Sequence, residues 1–214
     1  PADIRALKST INDQPLDIYN MEVRSGFHYQ NSKNTLQLNV ANGQKFVDIG
    51  LYAGISATDW TWSPLIFDFN MDGNKDLFFS TGIKKRLNDL DYVKYLGSSP
   101  YMSNGTDDRT FDRSKIDKMP DGRVPNFLFS GDSLLKFKDV SASNGMSEPG
   151  ASSGAVYVDL DNDGDLELVV NNMDSPASVY ENLSIQPNAE GKPTFLTYTV
   201  KFKGGNIDGI GAKL

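Results

Sequence analysis

Residues 157–170 read YVDLDNDGDLELVV, and this stretch carries an acidic side chain at every second position between two apolar runs. The acids are Asp159, Asp161, Asp163, Asp165 and Glu167. Carboxylates held this close repel one another and lose hydration, so a fold that gathers them needs a compensating positive charge. A solvated acidic turn is the alternative. The regular spacing, with Gly164 where a tight loop must bend, favours Ca²⁺, which takes about six to eight oxygen ligands.

The loop differs from an EF-hand in its closing residue and in its flanks. An EF-hand needs a bidentate Glu at its twelfth position, but when Asp159 is the first position the twelfth is Val170. Glu167, at the ninth position, can close the site instead. The flanks are rich in Val, which favours strands over helices. We therefore predict a strand, a Ca²⁺ loop and a second strand. Side-chain ligands are expected from Asp159, Asp161, Asp163 and Glu167, and a backbone carbonyl from Asp165.

A second copy of this pattern lies earlier in the chain. Residues 45–79 align without a gap with residues 136–170, at a constant offset of 91 that also relates Asp68 to Asp159. The candidate ligands of the first copy are Asp68, Asn70, Asp72, Asn74 and Asp76. Affinity for Ca²⁺ follows the charge of the ligands, and Asn replaces Asp at two positions of this loop. We therefore expect two Ca²⁺ sites, of which the first is the weaker.

Short strands at regular intervals, separated by Gly and Asn turns, predict an all-β fold. We interpret the chain as a β-propeller segment of about two blades plus partial blades, each blade with four antiparallel strands. The offset of 91 is too long for one blade, and the excess lies at about 83–124. There, LNDLDYVKYL (87–96) has apolar residues at helical spacing, and Asn88 or Asp89 can cap the helix. This insertion of a helix and a loop is either a surface excursion or a partner site.

The expected domain organisation has three parts. Residues 1–33 form an N-terminal segment and a partial blade, with a helix near 3–12. Residues 34–182 form the repeat region, and residues 183–214 hold the last strands and the start of another domain. About two blades are too few to close a ring, so the chain is expected to be part of a larger protein.

The composition excludes several classes of function. A net charge of −7 and a pI of about 4.7 argue against non-specific binding of nucleic acid and against docking on an anionic membrane. The chain has no apolar run of about eighteen residues, so we expect no transmembrane helix. It has no cysteine, which excludes disulfides and thiol catalysis, and its single histidine, His28, excludes a His-rich zinc site.

Asp59, Trp60 and Trp62 form a further candidate site. They lie in the connection that leads into the strand before the first metal loop. Aromatic rings exposed there would form a ligand platform, because amphipathic aromatic side chains favour binding surfaces and can stack on sugars. The alternative is that the two indoles pack between blades.

These motifs resemble the FG-GAP/VCBS repeat family, and most closely its cartilage-acidic-protein-like branch from Bacteroidetes-type bacteria. In that branch the repeats precede an ASPIC/UnbV domain. The resemblance covers roughly residues 20–214. It is carried by TDWTWSPLIFDFNMDGNKDLFFSTG (58–82), NDLDYVKYL (88–96), VPNFLF (124–129), SSGAVYVDLDNDGDLELVVNNMDSPASVYEN (152–182) and NIDGIGAKL (206–214), the last of which is similar to the opening of an ASPIC/UnbV domain.

The resemblance implies an extracellular, cell-surface or periplasmic Ca²⁺-binding propeller that serves recognition or adhesion, with a protein or a glycan as its ligand. An alternative of another class is a Ca²⁺-dependent carbohydrate-active enzyme, such as a polysaccharide lyase. A lyase needs a base near its acidic sugar, and the candidates are His28, Tyr29 or a Lys of the insertion. A third alternative is a spacer that carries the ASPIC/UnbV domain.

Overall fold

The computed structural model of the chain describes residues 16–28, 33–97, 113–185, 199–201, 204–207 and 209. Their strands are β1 (Gln37–Val40), β2 (Lys45–Asp48), β3 (Thr61–Phe67), β4 (Asp76–Thr81), β5 (Phe127–Gly131), β6 (Phe137–Asp139), β7 (Ser152–Val158), β8 (Glu167–Asn172) and β9 (Ser178–Tyr180). Their helices are α1 (Leu16–Arg24), α2 (Gly50–Ala53), α3 (Leu90–Gly97) and α4 (Arg113–Asp117). None of these helices is long and apolar enough to cross a membrane. The described part of the chain is mainly β-sheet, which confirms the all-β expectation.

The described strands form three antiparallel sheets. The first sheet pairs β1 with β2, the second has the order β3-β4-β5-β6, and the third has the order β7-β8-β9. Each strand of a sheet therefore pairs with its neighbour in the chain. The insertion lies between β4 and β5, and these two strands still pair in the antiparallel sense.

The second sheet buries both of its faces, and the alternation of side chains along β4 explains how. Phe78 contributes to one buried cluster, whereas Leu77 and Phe79 contribute to another, because successive side chains of a strand point to opposite faces. The first cluster, which joins the second sheet to the third, consists of Phe67, Phe78, Leu128, Met146, Leu168 and Val170. The second, which joins it to the segment after β2, consists of Ala53, Ile55, Leu77, Phe79 and Phe129. Each fully buried large side chain stabilises the fold by roughly 1.5–3 kcal/mol.

The hairpins β3-β4 and β7-β8 share local details as well as strand pairing. Each has a register shift in its first strand, between Thr61 and Ser63 in one hairpin and between Ser152 and Gly154 in the other. These positions differ by 91 (152 − 61 = 91). Backbone hydrogen bonds recur at the same offset: Gly82 N–H to Trp60 O and Met173 N–H to Ala151 O, and likewise Ile55 N–H to Gly50 O and Met146 N–H to Ser141 O. The aligned segments therefore adopt the same local structure at these positions.

The helix that the sequence predicts in the insertion is present as α3, and Asp89 caps it. The Asp89 carboxylate accepts hydrogen bonds from the backbone N–H groups of Asp91 and Tyr92, each at 3.0 Å. These donors belong to the first turn of the helix and have no partner within it. The two ends of the insertion lie together, since Ile83 N–H donates to the Gly122 carbonyl at 3.1 Å. The insertion therefore leaves and rejoins the sheet at one place.

The described part of the N-terminal segment is mainly helical. The helix expected near 3–12 lies outside the described residues. Residues 16–28 form α1 and a turn, and they contain no strand of the expected partial blade. Asp17 in the first turn and Arg24 in the last turn of α1 suit the helix dipole, and Gly26, with a φ of 84°, follows its end. These local signals favour the helix, and the sequence prediction omitted them.

Gly131 in β5 provides a test of how closely the second sheet approaches the loop between β3 and β4. A Cβ atom at Gly131 would lie 2.2 Å from the Lys75 carbonyl oxygen, whereas a Cβ atom at Gly154 in β7 would meet nothing within 4 Å. We expect G131A to lower the free energy of unfolding by about 1–3 kcal/mol, because the backbone has to move. G154A should leave it unchanged or raise it slightly. Urea unfolding measures both variants, and equal effects would contradict the close approach.

Candidate metal centre

The two predicted metal loops lie at the same end of neighbouring hairpins. The first loop joins β3 to β4, and the second joins β7 to β8. Each loop turns through two residues with positive φ, of which the second is a glycine. They are Met71 (φ 58°) and Gly73 (φ 87°) in the first loop, and Asn162 (φ 63°) and Gly164 (φ 99°) in the second. The left-handed backbone at the sixth position of each loop explains the glycine, because a side chain there would be strained.

The second loop brings its five acids together. Asp159, Asp161 and Glu167 each offer a carboxylate oxygen, and these oxygens lie within 4.8 Å of one another. Asp163, Asp165 and Glu167 form another such group, so Glu167 belongs to both. Two oxygens that each bind one hard cation such as Ca²⁺ at about 2.3–2.6 Å are at most about 5 Å apart. Among the described residues, the second loop therefore holds two acidic groups that are each compact enough to share a metal ion.

Three carboxylate oxygens of the second loop are buried and accept no hydrogen bond from the described part of the chain. They are Asp159 Oδ1, Asp165 Oδ1 and Glu167 Oε1. The residues Asp165 and Glu167 are only 1% and 4% exposed, and no ion pair among the described residues involves an acid of this loop. A buried acceptor without a partner costs about 1–3 kcal/mol, and more when it is charged. A metal ion bound to these oxygens would remove that cost, so the residues present fit a metal site.

The same burial changes the acidity of Asp165. Burial raises the pKa of the Asp165 carboxyl to about 6, and the charges of Asp163 and Glu167 act in the same direction. The Ile185 N–H, which donates to Asp165 Oδ2 at 2.8 Å, acts against this rise. A bound cation would favour the ionised carboxylate. The sequence prediction assigned only the backbone carbonyl of Asp165 to the metal, whereas the structure places its carboxylate within the acidic group.

Backbone N–H groups orient the acids of the second loop. Leu160 N–H donates to Glu167 Oε2 at 2.6 Å, and Asp165 N–H donates to Asp163 Oδ1 at 3.1 Å. Asp163 N–H in turn donates to Asp161 Oδ1 at 3.3 Å. Asp165 and Glu167 thus each use one carboxylate oxygen to accept a backbone hydrogen bond. Their other oxygen is left to bind a cation.

The first loop satisfies its carboxylates with its own donors. Asp68 accepts hydrogen bonds from the N–H groups of Asp72 and Gly73, at 3.1 and 2.9 Å. Asp72 accepts from Asn74 N–H at 2.8 Å and from Asn70 Nδ2 at 3.0 Å. The pKa of Asp72 is lowered, chiefly by the hydrogen bond from the Asn74 backbone. Asn70 therefore stabilises a neighbouring carboxylate as a hydrogen-bond donor, which an ionised Asp at this position could not do.

The ninth position shows the clearest difference between the loops. Asp76 is fully buried, and its two oxygens accept hydrogen bonds from Phe69 N–H at 3.0 Å and from Gly131 N–H at 2.8 Å. Burial raises the pKa of Asp76, and these two hydrogen bonds oppose the rise. Glu167 has the hydrogen bond from Leu160 that corresponds to the one from Phe69, but its Oε1 has none from the described residues. The second loop is therefore the better candidate for a metal site.

The residues Asp59, Trp60 and Trp62 lie at the other end of β3 from the first loop, a distance of about 20 Å along the strand. The indole rings are tilted by 47° with centroids 6.0 Å apart, and Trp60 and Trp62 are 37% and 51% exposed. Trp62 Nε1 donates to the Gly82 carbonyl at 2.8 Å. Arg86 Nη2 donates to Asp59 Oδ2 at 2.7 Å in a largely buried ion pair. The two rings are thus exposed and anchored, and the structure does not bring them to the metal loops.

The residues considered as a catalytic base are His28, Tyr29 and a Lys of the insertion. His28 lies in the exposed turn after α1, and Tyr29 lies outside the described residues. The ion pairs among the described residues join no Lys of the insertion to an acid of either loop.

The chain matches no protein-family model, and it matches no curated protein. The described part of the chain has antiparallel β-sheets and an acidic cluster that suits a metal ion.

The effect of D165N on the free energy of unfolding should change sign when Ca²⁺ is added. Without divalent cations at pH 7, D165N is expected to raise the free energy of unfolding by about 1–3 kcal/mol, because it removes a buried charge beside Asp163 and Glu167. In millimolar Ca²⁺ the same variant should be less stable than the wild type, because a ligand is lost. Thermal melts in EGTA and in CaCl₂ measure both effects. D161N, at an exposed position, is the control with little effect in EGTA, and a D165N that is destabilised in both buffers would contradict the buried-charge account.

Proposed function

We propose that this chain is a Ca²⁺-stabilised β module that recognises a protein or a glycan outside the cell. The main support for a metal site is that three buried carboxylate oxygens in the second loop accept no hydrogen bond from the described residues. Ca²⁺ suits an all-oxygen site of flexible geometry, whereas Mg²⁺ demands near-octahedral geometry and keeps several waters. Zinc favours Cys and His ligands, and the second loop contains neither.

The role of the metal in this proposal is to stabilise the turn between β7 and β8. Glu167 is the first residue of β8, and Leu168 and Val170 follow it into the buried cluster between the second and third sheets. A cation that binds Glu167 and Asp159 would fix both strand ends where that cluster begins. Because binding requires the folded turn, its free energy adds to the stability of the sheet.

We further propose that the two loops bind Ca²⁺ unequally. The first loop has fewer acids, and its Asp68, Asp72 and Asp76 carboxylates all accept hydrogen bonds from within the described chain. A cation there would have to displace or share some of these bonds. Affinity in the range of about 10⁻⁴–10⁻³ M, typical of extracellular modules, is expected for the second loop, and weaker binding for the first.

A propeller built from FG-GAP/VCBS-type repeats is the architecture that we propose for the sheets. Three observations support it: the sequential antiparallel order of the four-stranded second sheet, its burial on both faces, and the recurrence of bulges and hydrogen bonds at the offset of 91. Propeller blades are four-stranded sheets of this kind. Loops at one end of such sheets form a common surface, which suits a recognition role.

The recognition surface in this proposal is the Trp60 and Trp62 pair. Both indoles are exposed, and the hydrogen bond from Trp62 to Gly82 restricts the ring. Asp59 adopts a left-handed backbone with a φ of 68°, which is uncommon for a residue other than glycine. Rigid aromatic side chains lose little entropy on binding, and indole faces suit sugar rings or apolar side chains of a protein.

Removal of the metal tests the Ca²⁺ part of the proposed function. In about 5 mM CaCl₂, with a Kd of about 10⁻⁴ M, Ca²⁺ should stabilise the folded chain by about 2 kcal/mol relative to EGTA. For a chain of this size that corresponds to a rise in Tm of roughly 4–8 °C. Differential scanning calorimetry measures the rise, and elemental analysis of dialysed protein measures the bound metal.

Matched variants assign that stabilisation to a loop. E167Q is nearly isosteric and can still accept the Leu160 hydrogen bond, yet it should lose most of the Ca²⁺ response because a charged ligand is gone. D72A should retain most of it. An unchanged Tm in CaCl₂ with no bound calcium would reject the metal site, and a larger loss in D72A than in E167Q would reverse the assignment.

The tryptophan pair is tested by fluorescence, because Trp60 and Trp62 are the two tryptophans of the chain. We expect the wild type to bind neutral or acidic oligosaccharides presented on an array. W60A and W62A should each bind the same oligosaccharides with an affinity at least tenfold lower, because aromatic anchors contribute much of the binding free energy. Quenching of the intrinsic fluorescence should follow the same ligands. W60A and W62A should keep the Ca²⁺-dependent rise in Tm, and binding that survives both substitutions would exclude this surface.

A further inference from the structure

A short segment after β9, residues 182–185, contacts both metal loops. Asn182 Nδ2 donates to the Phe69 carbonyl at 2.8 Å and to the Leu166 carbonyl at 3.2 Å. Phe69 is the second residue of the first loop, and Leu166 is the eighth residue of the second. One side-chain amide therefore uses its two N–H groups to join the two loops. We call residues 182–185 the bridging segment.

Two neighbours of Asn182 strengthen these contacts. The Ser184 hydroxyl also reaches the Phe69 carbonyl, at 3.0 Å, and Ser184 N–H donates to Asn182 Oδ1 at 3.1 Å. The second of these bonds orients the Asn182 amide so that its nitrogen faces the two carbonyls. Ile185 N–H donates to Asp165 Oδ2, so the bridging segment also holds one of the acids of the second loop.

The loops meet at this place across a cleft. Phe69, Leu166 and Asn182 line a cavity of about 300 Å³ together with Leu183 and residues of the first buried cluster. The hydrogen bonds of Asn182 therefore join the two loops beside this cavity.

We infer that Asn182 is a positioning residue that couples the two loops, so that a cation bound in the second loop orders the first. The inference rests on the proposed Ca²⁺ site of the second loop. A cation held by Asp165 restricts the Asp165 carboxylate and the neighbouring Leu166 carbonyl, and both of these groups bind the bridging segment. The segment in turn restricts the Phe69 carbonyl. Phe69 N–H already donates to Asp76, so the order extends to the far end of the first loop.

Hydrogen exchange measured by mass spectrometry on the full chain tests the coupling. The background is D68N/D72N, which removes two charges of the first loop so that the loop does not respond to its own Ca²⁺. In 5 mM CaCl₂, exchange should slow in residues 159–167, and also in residues 68–76 by roughly fivefold to tenfold, the lower part of the usual range for coupling between sites. Adding N182A should abolish the effect in 68–76 and retain it in 159–167.

Two further variants separate coupling from general destabilisation. S184A removes the second hydrogen bond to the Phe69 carbonyl and also the contact of the hydroxyl with Asn182 Oδ1 at 2.8 Å, so it should reduce the response of residues 68–76 in part. N171A removes an exposed Asn of β8 that donates to Ser153 Oγ at 2.9 Å, and it should change neither response. If N182A does not fold, S184A decides between coupling and its absence, since an unchanged response of 68–76 in S184A would contradict the inference.

The outcomes distinguish the coupling from the proposed function. A response of residues 68–76 that persists in N182A overturns the coupling, as does a response in 159–167 with none in 68–76 in the D68N/D72N background. No response to Ca²⁺ at 159–167 in the wild type overturns the Ca²⁺ site itself, and the coupling falls with it.

Discussion

Negative charge buried at the turn between β7 and β8 is the constraint on which the other features depend. Asp159, Asp165 and Glu167 each place a carboxylate oxygen in the interior without a hydrogen bond from the described chain. The turn cannot expose these oxygens freely, because Glu167 leads directly into Leu168 and Val170, which pack in the cluster between the second and third sheets. Apolar packing thus keeps these acids buried, and a buried carboxylate is costly unless a hydrogen bond or a cation compensates for its charge.

The two loops share features of backbone conformation, but their carboxylates have different hydrogen-bond partners. Both have positive φ at the fourth and sixth positions, and both accept a backbone hydrogen bond at the ninth. The first loop replaces two acids with Asn, and its carboxylates are satisfied by N–H donors of the same chain. The second loop has more acids than nearby donors. The difference lies in a few side chains, and it decides which loop leaves carboxylate oxygens without a hydrogen bond from the described residues.

The candidate metal site is the loop between β7 and β8, whereas the candidate recognition surface is at the start of β3 in the neighbouring hairpin, at the end away from the metal loops. β3 runs from the Trp60 and Trp62 pair to the first loop, and Phe67 of β3 stacks on Tyr157 of β7 with ring centroids 5.1 Å apart. The strands therefore connect the ends through packed side chains and ladder hydrogen bonds. A scaffold of this kind separates a stabilising site from a surface that is free to vary, because the ligand need not touch the metal.

The sequence by itself determined the features that depend on local spacing. The Val-rich flanks indicated a strand on each side of the acids, Gly164 marked the bend of the second loop, and Asn88 or Asp89 marked the start of α3. Each of these features rests on residues a few positions apart. The helix α1 also carried local signals, in Asp17, Arg24 and Gly26, and it was within reach of the same reasoning.

Tertiary structure alone decided which oxygens are buried and which donors reach them. Gly131 N–H binds Asp76 from 55 residues away, and Asn182 reaches Phe69 from 113 residues away. No local pattern specifies such contacts. Asp165 is buried and accepts a hydrogen bond from Ile185, 20 residues away, and burial is a property of the assembled sheets. The spacing of the acids was therefore determined by the sequence, but the burial that makes them suited to a metal ion was decided by the residues that surround them.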